Sequence, residues 1–508
     1  MTDVRSVVIG VDIGTTSTKA VAFTSSGLVV ARHAVAYPLT EPLPGFAEQD
    51  PDEIVAAVVA AVAAVASRCG GAVRALSFSS AMHSVLGLDP DGSPVTAVVT
   101  WADRRASAQA ARLRAVGGLQ LHRRTGTPVH PMAPLAKIAW FGQERPELAA
   151  TVRHWVGIKD YVLSQVAGVL VTDHSLASGT GLMDIYRLQW DDEAMHLAGI
   201  TADRLPTLVP TTTVLSGLRA GYAERMGLPG STAVVVGAGD GPLANLGLGA
   251  VRPSVAACSI GTSAALRVMV DRPGVDAGGR GFCYALTERR WVVGGAVNNG
   301  GAVLQWAADA LAPELGTGRE VELLRLAASV PPGCGGLIML PYLLGERAPH
   351  WDTAATGAYV GLTRDHRRPH LVRAALEGVC QQLALVLQSV KDGGHEVHEL
   401  RATGGFARSA LWRQILADVV GMPVGFTADH EGSSFGAALL GMQALGLVES
   451  VDIAADLVQV DETVVPDPAS QATYARLRPV FEALYEALTP TWVAQQTLAP
   501  TLPLTYPT

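Results

Sequence analysis

The chain has 508 residues, 49% of them hydrophobic, and a formal net charge of −8 at pH 7. This length exceeds what one hydrophobic core usually supports, so we expect two domains. The negative charge and the lack of a basic block argue against a nucleic-acid-binding protein. Five widely spaced cysteines without a Cys-x-x-Cys pair argue against a zinc site or a disulfide framework, and they favour a reducing cytoplasm.

The first predicted element is a β-hairpin over residues 7–23. An apolar run ends at Asp12, and Gly14-Thr15-Thr16-Ser17 leads into a second apolar run. Gly14 permits a tight turn, and the N–H groups and hydroxyls of such a turn suit a polyphosphate. Asp12 at the strand end suits a Mg²⁺ ion, directly or through water. An ordinary polar hairpin explains this segment equally well.

The next predicted element is a helix over residues 54–66. This Ala- and Val-rich run is too short to span a bilayer, and the acids Asp50, Asp52 and Glu53 before it suit the positive end of a helix. The chain enters its first strand without a basic and apolar leader, so we expect neither a signal peptide nor a membrane anchor.

A polar and aromatic cluster follows the predicted strand 73–79. The strand leads to Met82 and His83, and the stretch 100–105 adds Trp101, Asp103 and Arg104. Because α/β proteins bind ligands at strand ends, we expect these residues to face a substrate. A lone histidine at such a place is more often structural, so its neighbours carry the functional interpretation.

Asp240 ends another apolar strand, residues 234–239, and precedes a helix of small residues. A carboxylate between a strand and a helix is well placed to act as a base, and Gly237, Gly239 and Gly241 let a ligand approach the backbone. On spacing alone, Asp240 could equally cap the helix.

The second half of the chain repeats the first pattern. Residues 255–269 place Gly261-Thr262 between two apolar runs, and such an internal repeat indicates two like-folded lobes. Two further glycine-rich turns precede predicted helices: Gly301 lies before Gln305, and Gly404-Gly405 lies before Ser409.

These motifs resemble the phosphate and adenosine elements of the superfamily that contains sugar kinases, heat-shock chaperones and actin. Residues 132–141 and 357–377 resemble the two signatures of the FGGY carbohydrate kinases, and the likeness extends over about residues 7–446. Within the first signature, helical spacing favours a structural role for Lys137 and Trp140. The resemblance implies an α/β protein of two actin-like (ribonuclease H-like) lobes, residues 1–250 and 251–508, with the nucleotide and substrate in a cleft between them.

The resemblance also assigns roles. It implies ATP and Mg²⁺ as cofactors, Asp240 as the catalytic base, and Asp12 and Asp240 as the acids that orient Mg²⁺. The residues expected to bind the nucleotide are Gly14, Thr15, Thr16, Lys19, Gly261, Thr262, Gly301, Gln305, Gly404, Gly405 and Ser409. The residues expected to contact the substrate are Met82, His83, Trp101, Asp103, Arg104, Lys159 and Asp240.

Residues 82–84, 100–105 and 126–132 most resemble the gluconate-phosphorylating branch of the family, which implies conversion of D-gluconate to 6-phosphogluconate. A sugar acid needs a cation, and Arg104, Lys159 and His83 are the candidates, although these cations could instead pair with Asp103 and Asp160. Xylulose or another polyol or ketopentose is the alternative substrate. A heat-shock- or actin-like ATPase is a more distant alternative, since it would lack both signatures. We expect a cytoplasmic enzyme with a small-molecule substrate, and a homodimer remains open.

Overall fold

The structure is a computed structural model that describes residues 6–427 and 431–498. The chain folds into two compact units built from interleaved segments. Within the described residues, the first unit comprises the chain up to Arg252, Met269–Val293 and 431–458, and the second comprises the remainder. The predicted division into residues 1–250 and 251–508 differs from these units in one respect, since two later segments group with the first unit. That division stays a prediction.

Elements up to residue 252 form most of the first unit. The strands are β1 Val7–Ile13, β2 Ser17–Thr24, β3 Val29–Ala36, β4 Glu48–Gln49, β5 Val73–Ser80, β6 Leu86–Leu88, β7 Val98–Val99, β8 His154–Val156, β9 Val171–Asp173, β10 Met183–Asp184, β11 Gln189–Trp190, β12 Thr207–Val209, β13 Val214–Leu215 and β14 Ala233–Gly239. The helices are α1 Pro51–Ala66, α2 Ser107–Ala115, α3 Gly118–Thr125, α4 Pro134–Glu144, α5 Pro146–Thr151, α6 Ile158–Ala167, α7 His174–Ser178, α8 Asp192–Ala198, α9 Ala220–Met226 and α10 Asp240–Gly247.

The later elements complete both units. The strands are β15 Val255–Ile260, β16 Ala264–Val270, β17 Phe282–Thr287, β18 Arg290–Val297, β19 Ile338–Leu340, β20 Ala358–Val360, β21 Glu399–Thr403, β22 Val424–Thr427 and β23 Val460–Val464. The helices are α11 Gly301–Leu311, α12 Arg319–Ala327, α13 Arg368–Asp392, α14 Ala410–Val420, α15 Gly432–Ala444, α16 Ala454–Leu457 and α17 Pro468–Leu498.

A six-stranded sheet organises the first unit, with the strand order β13-β14-β5-β1-β2-β3. The predicted hairpin is confirmed, since β1 pairs antiparallel with β2. Strand β5 lies between β1 and β14 and is parallel to both, with Asp12 opposite Ser79 and Gly239 opposite Ser80. The carboxyl ends of these three parallel strands therefore lie side by side.

Helices cover both faces of this sheet. On one face α1 begins at Pro51, with Asp50 as its N-cap, and buries a row of alanines and valines. On the other face α15 approaches β1 so closely that a Cβ added at Gly10 would lie 1.9 Å from the carbonyl oxygen of Ser434. Small residues are thus required where this helix meets the sheet.

The second unit contains the second hairpin. Strand β15 pairs antiparallel with β16 and parallel with β21, so that Ser259 lies opposite Thr403. The sequence predicts a helix over residues 474–488, whereas α17 spans Pro468–Leu498 and runs through Pro479 and Pro490. Burial of Phe481 and Trp492 in one apolar cluster outweighs the low helix propensity of those prolines. The sequence also predicts a loose tail from Pro500 onward, and that segment lies outside the described residues.

Candidate active site

The first predicted phosphate turn is fixed by contacts on both sides. The Gly14 N–H donates to the Ser17 carbonyl oxygen at 3.0 Å, and the Tyr37 hydroxyl donates to the Gly14 carbonyl oxygen at 2.7 Å. The hydroxyl of Thr15 accepts a 2.9 Å hydrogen bond from the Trp101 indole N–H, whereas Thr16 is exposed. The stretch 100–105, which is predicted to face the substrate, is therefore hydrogen-bonded directly to the predicted phosphate turn.

Asp12 lies at the end of β1, where the Ser79 hydroxyl donates to its Oδ1 at 2.7 Å. Burial raises the pKa of this carboxyl group, while the Ser79 hydrogen bond and the positive charge of Lys19 act in the opposite direction. The charged form of a partly desolvated carboxylate is stabilised when a cation binds beside it.

Lys19 forms an ion pair that the sequence did not reveal. Its Nζ lies 3.0 Å from Oε2 of Glu431, and the Arg32 Nη1 lies 2.6 Å from Oε1 of the same carboxylate. Burial favours a higher pKa for Glu431, but hydrogen bonds from Lys19 and Arg32 outweigh it and lower the pKa. The role of Lys19 at the phosphates stays a prediction.

Asp240 is the first residue of α10, and Gly239 occupies the N-cap position. The Gly241 N–H donates to Asp240 Oδ1 at 2.7 Å. The turn is held by the Ser175 hydroxyl, which accepts from the Gly239 N–H at 3.1 Å. A Cβ at Gly239 would lie 2.8 Å from Met82 Cγ, so the structure brings Met82 against the strand end that carries Asp240.

His83 adopts the left-handed backbone conformation, with φ at +68°. Its Nδ1 lies 2.6 Å from the Gly179 carbonyl oxygen, and because a carbonyl only accepts, Nδ1 carries the hydrogen. The other ring nitrogen, Nε2, lies 3.3 Å from the Tyr284 hydroxyl. A neutral imidazole satisfies both contacts, with the tyrosine donating.

Lys137 is fully buried on α4, and its ammonium joins the two parts of the predicted substrate site. It donates to the His83 carbonyl oxygen at 2.7 Å and to the Thr100 carbonyl oxygen at 2.6 Å. Burial lowers the pKa of Lys137 to about 7, with the nearby charge of Asp103 acting against that decrease. These contacts match the predicted structural role of Lys137.

The predicted cations differ in their partners. Asp103 pairs with Arg105, at 2.7 Å from Nη2, and not with Arg104. Lys159 pairs with Asp173 at 2.6 Å, with both side chains fully buried, and not with Asp160. Within residues 6–427 and 431–498, the half-buried Arg104 side chain has no ion pair. The alternative pairing of the cations with Asp103 and Asp160 is therefore wrong in both partners.

The second unit has its own turn between β15 and β16. The Gly261 N–H donates to the Ser263 carbonyl oxygen at 2.9 Å. The start of α11 packs on this turn, since the Gly301 N–H donates to the Gly261 carbonyl oxygen at 2.6 Å and the Gly300 N–H donates to the Thr262 carbonyl oxygen at 3.1 Å. Gln305 is exposed one turn further along the helix.

The end of β21 lies beside this turn. Gly404 has a φ of +117°, and a Cβ there would lie 2.2 Å from the Ile260 carbonyl oxygen. At Gly405 the nearest atom to an added Cβ is an Arg408 guanidinium nitrogen at 3.6 Å, so the backbone is open. Ser409 caps α14 by accepting from the Trp412 N–H at 3.2 Å. Its position near adenine stays a prediction.

Comparison with known families identifies the architecture. Residues 7–247 match the N-terminal domain of the FGGY family of carbohydrate kinases, and residues 256–445 match its C-terminal domain. The chain belongs to the FGGY family of carbohydrate kinases. It is accordingly an enzyme that phosphorylates a carbohydrate, with ATP as the phosphate donor of the family.

Individual relatives cover nearly the whole of this FGGY kinase. A gluconokinase of Bacillus subtilis (strain 168) is 43% identical over 488 residues, which are 94% of this chain and 95% of that protein. A xylulose kinase of the same strain is 29% identical over 483 residues, 94% of this chain and 96% of the relative. The crystal structure of a gluconate kinase from Lactobacillus acidophilus matches with a TM-score of 0.93 and 35% identity, over 96% of this chain and 99% of the other. The predicted α/β fold of two actin-like domains is confirmed.

Two residues of this region have contacts that sequence reasoning did not identify. Ser175 contacts the turn before Asp240, and Tyr284 contacts the ring of His83. Ser175 lies in the polar stretch 172–180, which the sequence predicts either to face the substrate or to cap a helix, but its contact with Gly239 could not be predicted. Tyr284 lies in an apolar strand, and no local pattern distinguishes it from a core tyrosine.

Proposed function

We propose that this kinase transfers the γ-phosphoryl group of ATP to D-gluconate and forms 6-phosphogluconate. The observation that carries the proposal is the 43% identity to gluconokinase, against 29% to the xylulose kinase of the same organism. Both alignments span almost the entire chain, so the difference does not come from one shared domain.

Arg104 is the residue that we assign to the carboxylate of gluconate. Lys159 is already neutralised by Asp173, and the contacts of His83 fit a neutral ring. Arg104 is half-buried, adjoins the loop that Trp101 fixes to the phosphate turn, and has no ion pair in the described part of the chain. A guanidinium suits a carboxylate because it can donate two parallel hydrogen bonds.

Asp240 is the proposed general base. It accepts the proton of the sugar hydroxyl as that oxygen attacks the γ-phosphorus, and the bond between that phosphorus and the bridging oxygen of ADP breaks. Ser175 and Met82 hold the strand end that carries Asp240, so its carboxylate is positioned by packing and hydrogen bonding together.

Asp12 and Asp240 are the residues that would hold Mg²⁺. They lie at the ends of strands that flank β5, about 10 Å apart across the sheet, a separation that a hydrated cation can bridge. The raised pKa of Asp12 indicates a carboxylate that benefits from a neighbouring positive charge. When bound, Mg²⁺ would neutralise phosphate charge, and Gly14, Thr15, Gly261 and Thr262 would bind the phosphates from the two hairpin turns.

A substrate panel tests this proposal. Purified enzyme is assayed with ATP and Mg²⁺ on D-gluconate, D-xylulose, L-ribulose, glycerol and erythritol, and we expect the highest kcat/KM for D-gluconate. Arg104→Gln should lower kcat/KM for D-gluconate by about 100-fold or more, because a charged hydrogen-bonding partner is lost. The control Arg68→Gln changes an exposed arginine and should have no effect. Preference for a neutral sugar would overturn the substrate assignment but not the kinase assignment.

D-Xylulose is the second candidate, since xylulose kinases are also relatives of this chain over nearly its full length. A kcat/KM that is higher for D-xylulose than for D-gluconate, and that Arg104→Gln does not change, would establish D-xylulose as the substrate.

We also propose a cytoplasmic location. Within the described residues, no helix has the length and apolarity needed to cross a membrane. The five cysteines are free and buried, as a reducing compartment allows.

A further inference from the structure

Glu346 is a fully buried carboxylate in the loop that follows β19. Its Oε1 accepts from the backbone N–H groups of Asn298 at 2.6 Å and Arg347 at 2.8 Å. Its Oε2 accepts from the side-chain amide of Asn299 at 3.0 Å. All three partners are donors, so the site fits a carboxylate that accepts through both oxygens.

The two asparagines attach this loop to the segment that precedes α11. Asn299 donates to the Gly345 carbonyl oxygen at 2.8 Å and accepts from the Leu344 N–H at 3.1 Å. The Asn298 side chain accepts from Arg347 Nε at 2.7 Å. Because the Asn299 amide uses its oxygen and its nitrogen, it cannot be flipped without losing these bonds.

The same segment continues directly into Gly300 and Gly301, which contact the second phosphate turn. Their N–H groups donate to the carbonyl oxygens of Thr262 and Gly261. A Cβ at Gly300 would lie 2.6 Å from the Ser263 carbonyl oxygen, so the two backbones are in close contact. A displacement of Asn298 and Asn299 would therefore be transmitted to the turn.

We propose that Glu346 is a positioning residue for nucleotide binding, because its carboxylate fixes the Asn298–Asn299 segment and thereby the Gly261–Thr262 turn. The inference rests on the proposed role of that turn at the phosphates of ATP. Because Glu346 is fully buried, we assign it no direct contact with the nucleotide. Burial raises the pKa of Glu346 to about 7, and the hydrogen bonds from Asn298, Asn299 and Arg347 act in the opposite direction.

A double-mutant cycle tests the contact between Glu346 and Asn299. In Glu346→Gln an amide NH₂ faces the Asn299 NH₂, and in Asn299→Asp two carboxylates face each other. In the double variant, the amide NH₂ at position 346 can donate to the carboxylate at position 299, so the hydrogen bond is restored with donor and acceptor exchanged. We expect each single variant to raise the KM for ATP and the Kd for ADP, measured by calorimetry, at least about tenfold, with the KM for the sugar changed less than about twofold. The double variant should recover at least part of the loss.

Glu377→Gln is the matched control, since Glu377 is another buried carboxylate of the second unit and accepts from Arg373 and the Tyr474 hydroxyl. It should lower thermal stability without a nucleotide-specific effect. If Glu346→Gln fails to fold, Asn299→Asp and the double variant test the same contact.

An unchanged Kd for ADP in both single variants, equal increases in both KM values, or a double variant no better than the worse single variant would overturn the inference. A wild-type enzyme that prefers another sugar would instead contradict the gluconate assignment, and the ADP measurements would still test Glu346.

Discussion

Asp240 is the residue that we propose as the general base. Asp240→Asn keeps the size and the Gly241 hydrogen bond but removes the base, so kcat should fall at least about 100-fold while the Kd for ATP stays within about twofold. Steady-state assays and calorimetry measure both quantities. Asp192→Asn, at an exposed helix start, is the control. An Asp240→Asn enzyme that retains a third of the wild-type kcat would contradict the assignment.

Asp160 provides a prediction about pH. Burial raises its pKa from 3.8 to about 7, so the folded state binds this proton more tightly than the unfolded state. The resulting stabilisation of the folded state is fully present below the unfolded pKa of 3.8. It is lost progressively as the pH rises to the folded pKa of about 7, and the total loss is at most about 4 kcal/mol. Asn cannot ionise, so the unfolding temperature of wild type minus that of Asp160→Asn should decrease between pH 5 and pH 8. A difference in unfolding temperature that does not change with pH would contradict the raised pKa of Asp160.

The turn at Gly404–Gly405, which we propose to bind adenosine, constrains its two glycines differently. Gly405→Val should fold, since a Cβ there meets no backbone atom, yet it should raise the KM for ATP far more than the KM for the sugar. Gly404→Ala should instead destabilise the protein, because its φ is +117° and its Cβ would contact the Ile260 carbonyl oxygen. Kinetics and thermal unfolding separate the two effects. Equal increases in both KM values for Gly405→Val would indicate general misfolding.

Elements could be predicted where local sequence determines them. The hairpin at Gly14, the helix preceded by acidic residues and the strand that ends before Asp240 follow from nearby residues and agree with the structure. Contacts between distant segments could not be predicted in this way. Lys19 meets Glu431 across 412 positions and His83 meets Tyr284 across 201, and both depend on tertiary packing. The full length of α17 also depends on tertiary packing, since Phe481 and Trp492 are buried in one apolar cluster.

At the scale of the whole molecule, the chain combines two similar hairpin-bearing units with unequal tasks. The first unit holds the proposed base, the proposed metal-binding acids, the proposed sugar site and the first predicted phosphate turn, and the second holds the second predicted phosphate turn and Gly404–Gly405, which are assigned to adenosine. The internal repeat predicted two lobes, but it did not reveal that Met269–Val293 groups with the first unit. That segment supplies Tyr284, which contacts His83, so the proposed sugar site involves residues from both halves of the sequence.

We propose that this FGGY kinase recognises the carboxylate of a sugar acid. The most direct measurement compares kcat/KM for D-gluconate with that for D-glucitol, which has a hydroxymethyl group in place of the carboxylate. A site built around Arg104 leaves a cation unpaired when the carboxylate is missing, so we predict a preference for D-gluconate of roughly 10⁴. Equal kcat/KM values for the two compounds, or a preference for D-glucitol, would contradict recognition of the carboxylate.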